Sequence, residues 1–247
     1  MSRKNVTASV TARLKSKAKE AGVAFQAELT HYGLERFLYR LSVSPQADIF
    51  VLKGGLMLKV WGAAMTRPTK DIDFLAYTDN SVANIEKLLR EICELPVEDD
   101  GLRFDTSTLK AIEIKEDADY TGVRVTFMGF LGRMKIPMQV DVGFNDVITP
   151  GAQEGLYPGS LNLPPAVLKM YPAQTTIAEK LQAMVYLGDI NSRMKDFFDI
   201  FPDTGGIVHR VTATASARTD RRNLLKLAYR GLVESAEASM AVPAPAR

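Results

Sequence analysis

One stretch, Val51–Leu75, limits the fold more than any other part of the 247-residue chain. Its sequence, VLKGGLMLKVWGAAMTRPTKDIDFL, predicts a strand, a Gly-Gly turn, a short helix, a polar connector and a second strand. Because alternate residues of a strand share a face, Asp71 and Asp73 point the same way. Ile72 and Phe74 point to the opposite side, into a core. The stretch therefore predicts two carboxylates side by side on one face of a sheet.

Two neighbouring carboxylates repel each other unless a cation neutralises them, and hard oxygen ligands on a rigid strand suit Mg²⁺. Lys53, Gly54 and Gly55 open the predicted helix, where backbone N–H groups would be able to hold phosphate. The turn is not a Walker A loop, because the Gly-Lys-Ser/Thr that should follow a four-residue spacer is missing. A plain strand-to-helix turn also explains the two glycines. Together, the magnesium and phosphate signals indicate nucleotide chemistry.

A third carboxylate comes from a later strand, where Asp141 stands between Val140 and Val142. A buried aspartate without a partner would be costly, so a partner is expected. A metal shared with Asp71 and Asp73 would serve. Two metals held by strand carboxylates can activate an attacking hydroxyl and stabilise a leaving pyrophosphate. An Asp-x-Asp pair alone is a weak signal, and the third aspartate strengthens it.

The connector before the second strand carries Arg67, Thr69 and Lys70. Either base would be able to contact a triphosphate, and the Thr69 hydroxyl would fix the connector by hydrogen bonding. An ordinary charged loop explains the same residues equally well.

A second charged cluster lies near residue 190. If it faces the metal site across a cleft, Lys180 and Arg193 neutralise phosphate charge. Helical spacing also places Asp196 and Lys195 near Asp199, so a surface ion-pair lattice is an equal alternative.

Composition excludes several classes of protein. Hydrophobic residues make up 46% of the chain and charged residues 24%, as in ordinary soluble proteins. The sequence has no run of about 18 apolar residues, the length that a membrane-spanning helix needs. The N-terminus lacks the apolar core of a signal peptide. The single cysteine, Cys93, fits packing in a reducing cytoplasm. Neither His31 nor His209 adjoins a nucleophile motif, and no zinc-ligand spacing occurs.

The pattern along the chain predicts an α+β (mixed α/β) fold. It divides into a core at residues 1–148 and a mainly helical lobe at 149–247, joined through a segment rich in proline and glycine at 149–172. Predicted helices cover residues 7–21, 23–41, 82–93, 176–187 and 193–201. Predicted strands cover residues 49–52 and 71–77, followed by an antiparallel meander at 102–104, 109–114, 123–127 and 134–144.

Four motifs in this order resemble the AbiEii/MenT family of nucleotidyltransferase-like toxins, which belong to type IV toxin–antitoxin and abortive-infection systems within the polymerase-β-type superfamily. The resemblance runs from about Phe25 to Phe201. The motifs are Leu52-Lys53-Gly54-Gly55, Arg67-x-Thr69-x-Asp71-Ile72-Asp73-Phe74, Val140-Asp141-Val142-Gly143-Phe144, and Ala178-Glu179-Lys180 with Asn191-Ser192-Arg193-x-Lys195-Asp196-Phe197-Phe198-Asp199.

The resemblance implies a bilobed protein that holds an NTP in a cleft and transfers a nucleotide, in some members to the 3′ end of tRNA. By position, Asp71, Asp73 and Asp141 would be the metal ligands, and Lys180, Arg193 and Asp196 would be second-lobe residues associated with nucleotide binding and activity. Asp141 and Asp196 are both candidates for the base that accepts the hydroxyl proton. The resemblance also implies a cognate antitoxin. After Ile200, the tail rich in Thr, Ala and Arg differs from the helices found in the family.

Two other functions are compatible with the same residues. One is an NTP-binding module that acts through a partner without transferring anything. The other is nucleotidyl transfer to a protein or a small molecule. Screening labelled NTPs against several acceptors separates these from transfer to RNA.

Overall fold

A computed structural model describes residues 3–62, 69–117 and 120–187 of the chain. Its helices are α1 (Arg3–Ala21), α2 (Phe25–Ser42), α3 (Met57–Val60), α4 (Val82–Glu94) and α5 (Ala173–Leu187), and a 3₁₀ turn at Gly54–Leu56 precedes α3. Within these residues no helix has the length and apolarity needed to cross a bilayer.

Seven strands form one mixed sheet in the order β3-β4-β5-β2-β1-β7-β6. β2 runs parallel to β5 and antiparallel to β1, while β1 runs parallel to β7. The expected α+β architecture is therefore confirmed. The strands are β1 (Phe50–Lys53), β2 (Asp71–Ala76), β3 (Leu102–Asp117), β4 (Tyr120–Leu131), β5 (Met134–Gly143), β6 (Gln153–Tyr157) and β7 (Ala166–Met170).

The predicted antiparallel meander is confirmed as β3, β4 and β5. Its first two predicted segments are one strand, with an irregularity between Asp105 and Lys110 that sequence periodicity had shown as a break. The segment predicted as a connection, residues 149–172, instead contributes β6 and β7 to the sheet. Prolines and glycines around these two short strands concealed them.

Helix α2 packs closely on β5. A Cβ added to Gly33 would lie 2.8 Å from Cγ2 of Ile136, so a larger residue there would push the helix away from the strand. Apolar side chains at three- and four-residue steps along α2 are buried, as expected for a helix that packs on a sheet. They include Leu29, Tyr32, Leu34, Phe37, Leu38 and Leu41.

A buried polar network joins α2 to the turn before β3. The Asp100 carboxylate accepts hydrogen bonds from Arg36 Nε at 2.8 Å and from Arg40 Nη1 and Nη2 at 2.8 and 3.1 Å. Tyr32 donates its hydroxyl proton to the Asp100 carbonyl oxygen at 2.6 Å. Burial raises the pKa of Asp100, but the hydrogen bonds and charges of Arg40 and Arg36 outweigh it and hold that pKa below its usual value. The network fixes one end of α2 against β3.

The other end of α2 contacts the segment between β6 and β7. His31 lies between the hydroxyls of Ser160 and Tyr157, with 3.0 Å from its ring nitrogens to each oxygen. The Ser160 amide donates to Glu35 Oε2 at 2.5 Å. His31 is thus a buried residue of α2 that contacts the segment between β6 and β7.

The chain divides into two compact units. The first holds α1, α2, α4 and nearly all of the sheet, and the second holds α3 and α5. Helix α5 begins at Ala173, before residue 176 at which the sequence predicted its start. The helix predicted at residues 193–201 lies outside the described residues. A helical second lobe from residue 149 therefore stays a prediction.

Candidate active site

Four charged residues form a row across four adjacent strands of the first unit. In register, Lys53 on β1 faces Asp73 on β2, Asp73 faces Asp141 on β5, and Asp141 faces Arg124 on β4. Directly opposed residues of paired strands project from the same face of a sheet. Asp71 lies two residues before Asp73 and shares its face, opposite Gln139. The sheet therefore brings together all three carboxylates that the sequence singled out.

The Gly-Gly turn closes around the carboxylate of Asp73. The Gly55 backbone N–H donates a hydrogen bond to this carboxylate. Gly54 has a φ of +71°, and a Cβ there would lie 1.9 Å from Asp73 Oδ2. In this structure the turn thus positions Asp73. The expected helix with a phosphate-binding N-terminus is only a 3₁₀ turn followed by the four residues of α3.

Burial and neighbouring negative charge change the protonation of Asp73. Burial is the largest cause and the Asp141 charge the next, and together with Asp71 they raise the pKa of Asp73 to about 6. Lys53 and the Gly55 amide act in the opposite direction but do not cancel the rise. A cation near this carboxylate would reverse the effect, because it favours the ionised form.

Asp141 has a different partner from the one its sequence context suggested. Arg124 donates from Nε to Oδ1 and from Nη2 to Oδ2, both at 2.8 Å, and Gln139 Nε2 donates to Oδ2 at 3.1 Å. The partner expected for this buried aspartate is a guanidinium in this structure, and the metal shared with Asp71 and Asp73 stays a prediction. The hydrogen bonds from Arg124 to Asp141 raise the pKa of the guanidinium.

Lys53, predicted to bind the nucleotide, is held close to the carboxylates. Its Nζ lies 2.6 Å from Oδ2 of Asp146, which follows β5. The lysine side chain is only 13% exposed. Asp146 thus fixes the ammonium group beside Asp73, and it stood out in no sequence pattern.

The other predicted site residues are more scattered. Thr69 is buried just before β2 and Lys70 is exposed. Lys180 lies on α5 in the second unit. Arg67, Arg193 and Asp196 lie outside the described residues, so their roles stay predictions.

Sequence reasoning missed Arg124, although a signal was present. Arg124 stands between Val123 and Val125, which are buried in β4. This is the pattern that drew attention to Asp141: one charged residue between two buried valines. Two such strands, both predicted in one antiparallel meander, indicate an ion pair across the sheet.

The three carboxylates have the donor atoms that a divalent cation needs, but their side chains do not converge on one point in this structure. Asp71, Asp73 and Asp141 offer the oxygen donors that Mg²⁺ prefers. The raised pKa of Asp73 reflects burial first and then repulsion from Asp141 and Asp71, which a cation would relieve. In the part of the chain that the structure describes, no three His, Cys, Asp or Glu side chains converge to hold a metal ion. Arg124 takes both oxygens of Asp141. A cation that used Asp141 as a third ligand would therefore meet the positive charge of Arg124 at that carboxylate.

The raised pKa of Asp73 predicts a cost to folding at neutral pH. An acid whose pKa rises from 3.8 to about 6 on folding makes stability fall as pH increases through that interval. We expect Asp73→Asn to raise the free energy of unfolding by about 2–3 kcal/mol at pH 7.5 and by almost nothing at pH 4. Urea unfolding at both pH values measures this, with Glu113→Gln on β3 as the control. An equal gain at both values would contradict the prediction.

Comparison with known proteins supplies independent information. A sequence profile described as "Nucleotidyl transferase AbiEii toxin, Type IV TA system" matches residues 36–201. JHP933 from Helicobacter pylori has a similar solved structure, with 18% identity, a TM-score of 0.41, and coverage of 88% of this chain and 97% of that one. A second H. pylori structure, described as a candidate nucleotidyltransferase, has 17% identity, a TM-score of 0.40, and coverage of 90% and 100%. Comparison with curated proteins gave no match.

Proposed function

This chain belongs to the family of nucleotidyl transferase AbiEii toxins of type IV toxin–antitoxin systems, and we propose that it transfers a nucleotide from an NTP to an RNA acceptor such as the 3′ end of a tRNA. The observation that carries the proposal is the alignment of Asp71, Asp73 and Asp141 on one face of two parallel strands. Their oxygens would hold Mg²⁺. When bound, the ion would polarise the phosphate and neutralise charge on the leaving pyrophosphate.

The chain's own residues prepare this site in two ways. The Gly55 amide orients the Asp73 carboxylate, and the absence of a side chain at Gly54 leaves room for it. Lys53 adds a positive charge in the same row, held by Asp146. We propose that Lys53 and the Gly54-Gly55 turn lie beside the triphosphate, where an ammonium group offsets phosphate charge.

Residues from the connector and the second lobe complete the proposal. Arg67, Thr69, Lys180 and Arg193 would bind the nucleotide, and for Lys180 and Arg193 the family resemblance implies this role. Either Asp141 or Asp196 would accept the proton of the attacking hydroxyl. We propose that this reaction takes place in the cytoplasm, and the family implies an antitoxin as the binding partner.

Incubation with a tRNA pool and each labelled NTP in the presence of Mg²⁺ tests the proposal. We expect label on the RNA 3′ end, and we expect Asp73→Ala to lower the rate by at least about 100-fold because a metal ligand is lost. Glu113→Gln, an exposed carboxylate on the edge strand β3, should transfer at the normal rate.

Two results would change the assignment. If Asp73→Ala still transfers label, the carboxylate row is not the catalytic centre. If the protein binds NTP tightly but labels no RNA, protein or small molecule, it acts as a nucleotide-binding module. Label on a protein or a small molecule alone would keep the chemistry and change the acceptor.

A further inference from the structure

Arg124 forms an ion pair with Asp141 and supplies the positive charge that a bound cation would otherwise supply. Two parallel hydrogen bonds of 2.8 Å occupy both carboxylate oxygens, and Gln139 adds a third contact. Bidentate pairs of this kind are among the stronger polar contacts in proteins. Arg124 therefore supplies Asp141 with a positive charge of its own.

The two partners differ in their freedom to move. The side chain of Asp141 is 10% exposed and its strand, β5, is paired on both sides by β4 and β2. The side chain of Arg124 is 39% exposed. An arginine with that exposure can swing into solvent without opening the core, whereas Asp141 stays in place. Arg124 is the partner that can withdraw.

Withdrawal would leave three carboxylates facing a common region. Asp73 lies directly opposite Asp141 in the register, and Asp71 lies on the same face. The charge repulsion that follows is the condition under which a divalent cation binds well. A guanidinium bound to both Asp141 oxygens places its positive charge beside the position that a cation would occupy, and the two like charges oppose each other.

We propose that Arg124 is a positioning residue that competes with a divalent cation for Asp141. Its guanidinium stays bound to the Asp141 carboxylate until a cation displaces it. This inference rests on the proposed function, because it takes Asp71, Asp73 and Asp141 as the cation's ligands. Arg124 thereby sets the cation concentration at which the full ligand set assembles.

Titration of the full-length protein with Mn²⁺, followed by electron paramagnetic resonance of the free ion, tests the competition without any transfer assay. We expect Arg124→Gln to bind Mn²⁺ at least about tenfold more tightly than the wild type, because Asp141 is released and a nearby positive charge is lost. Arg103→Gln is the matched control. It removes the same charge from β3, where Arg103 pairs with Asp105 at 3.6 Å, and should leave Mn²⁺ affinity unchanged.

A double-mutant comparison isolates Asp141 as the group under competition. In an Asp141→Asn background, adding Arg124→Gln should change Mn²⁺ affinity much less than it does in the wild type. Arg124→Lys provides a second variant if the glutamine protein folds poorly. A lysine keeps the charge but cannot donate in parallel to both oxygens, so its affinity should fall between those of the wild type and Arg124→Gln.

The outcomes separate this inference from the proposed function. Mn²⁺ binding by the wild type that is lost in Asp73→Asn would support the proposed ligand set. If Arg124→Gln and Arg124→Lys then bind Mn²⁺ no more tightly than the wild type, the competition is wrong although the ligand set stands. If neither the wild type nor either Arg124 variant binds Mn²⁺, both ideas fail. Tighter binding by Arg124→Gln that depends on Asp141 supports the competition.

Discussion

Replacing Gly54 with alanine is expected to slow nucleotide transfer strongly while the chain still folds. The new Cβ would lie 1.9 Å from Oδ2, 2.6 Å from Cγ and 2.7 Å from Cβ of Asp73, so the carboxylate must leave its position. The φ of +71° adds left-handed strain. Together these effects should lower the free energy of unfolding by about 3 kcal/mol and the transfer rate by about 100-fold or more.

Gly22 provides the matched control for this substitution. It has a φ of +65° between α1 and α2, and within the described residues no heavy atom lies within 4 Å of an added Cβ. Gly22→Ala should therefore show only backbone strain, about 1 kcal/mol, and normal transfer. Urea unfolding and labelled-NTP transfer measure both variants. Full activity in Gly54→Ala would mean that the turn does not set the position of Asp73.

The second large effect is expected at Asp100, far from the carboxylate row. Asp100→Asn removes the negative charge shared by Arg36 and Arg40, whose side chains are 2% and 6% exposed. Two buried guanidinium groups would then lack their counter-ion. We expect the free energy of unfolding to fall by about 3–5 kcal/mol at pH 7.

The pH dependence of the Asp100 variant supplies a second readout. The folded-state pKa of Asp100 is below its usual value, so its contribution is present at neutral pH and is lost as pH falls through that folded-state pKa. The difference between wild type and Asp100→Asn should therefore shrink in strong acid. Asp99→Asn, at the exposed neighbouring position, should change stability by less than about 0.5 kcal/mol. If both variants lower the free energy of unfolding equally, the buried ion pairs of Asp100 stabilise the fold no more than an exposed carboxylate does.

Local sequence patterns predicted much of the core of this site. Period-two alternation placed Asp71 and Asp73 on one strand face, and the two valines around Asp141 marked a second strand. The predicted helix at residues 23–41 is observed as α2. These features depend on neighbours within about ten residues, which is the range that periodicity describes.

What local patterns did not supply is the pairing between distant strands. Periodicity does not fix the register that sets Asp141 opposite Asp73, or that brings Arg124 to Asp141, because register depends on contacts made across the sheet. β7 was missed because its pairing with the distant strand β1 leaves no mark in the local sequence, and the prolines around it indicated a loop. The Gly54 constraint was equally hidden, since it depends on where the Asp73 side chain lies.

The parallel pairing of β2 with β5 has a consequence for the order in which the protein matures during synthesis. Asp73 and Asp141 meet although they are about 70 residues apart, and β1 must wait still longer for β7. A growing chain that has emerged only as far as β4 already carries Asp71 and Asp73 but has no third carboxylate beside them. We expect the site to stay incomplete on the ribosome until β5 emerges, which delays activity until most of the chain has been made.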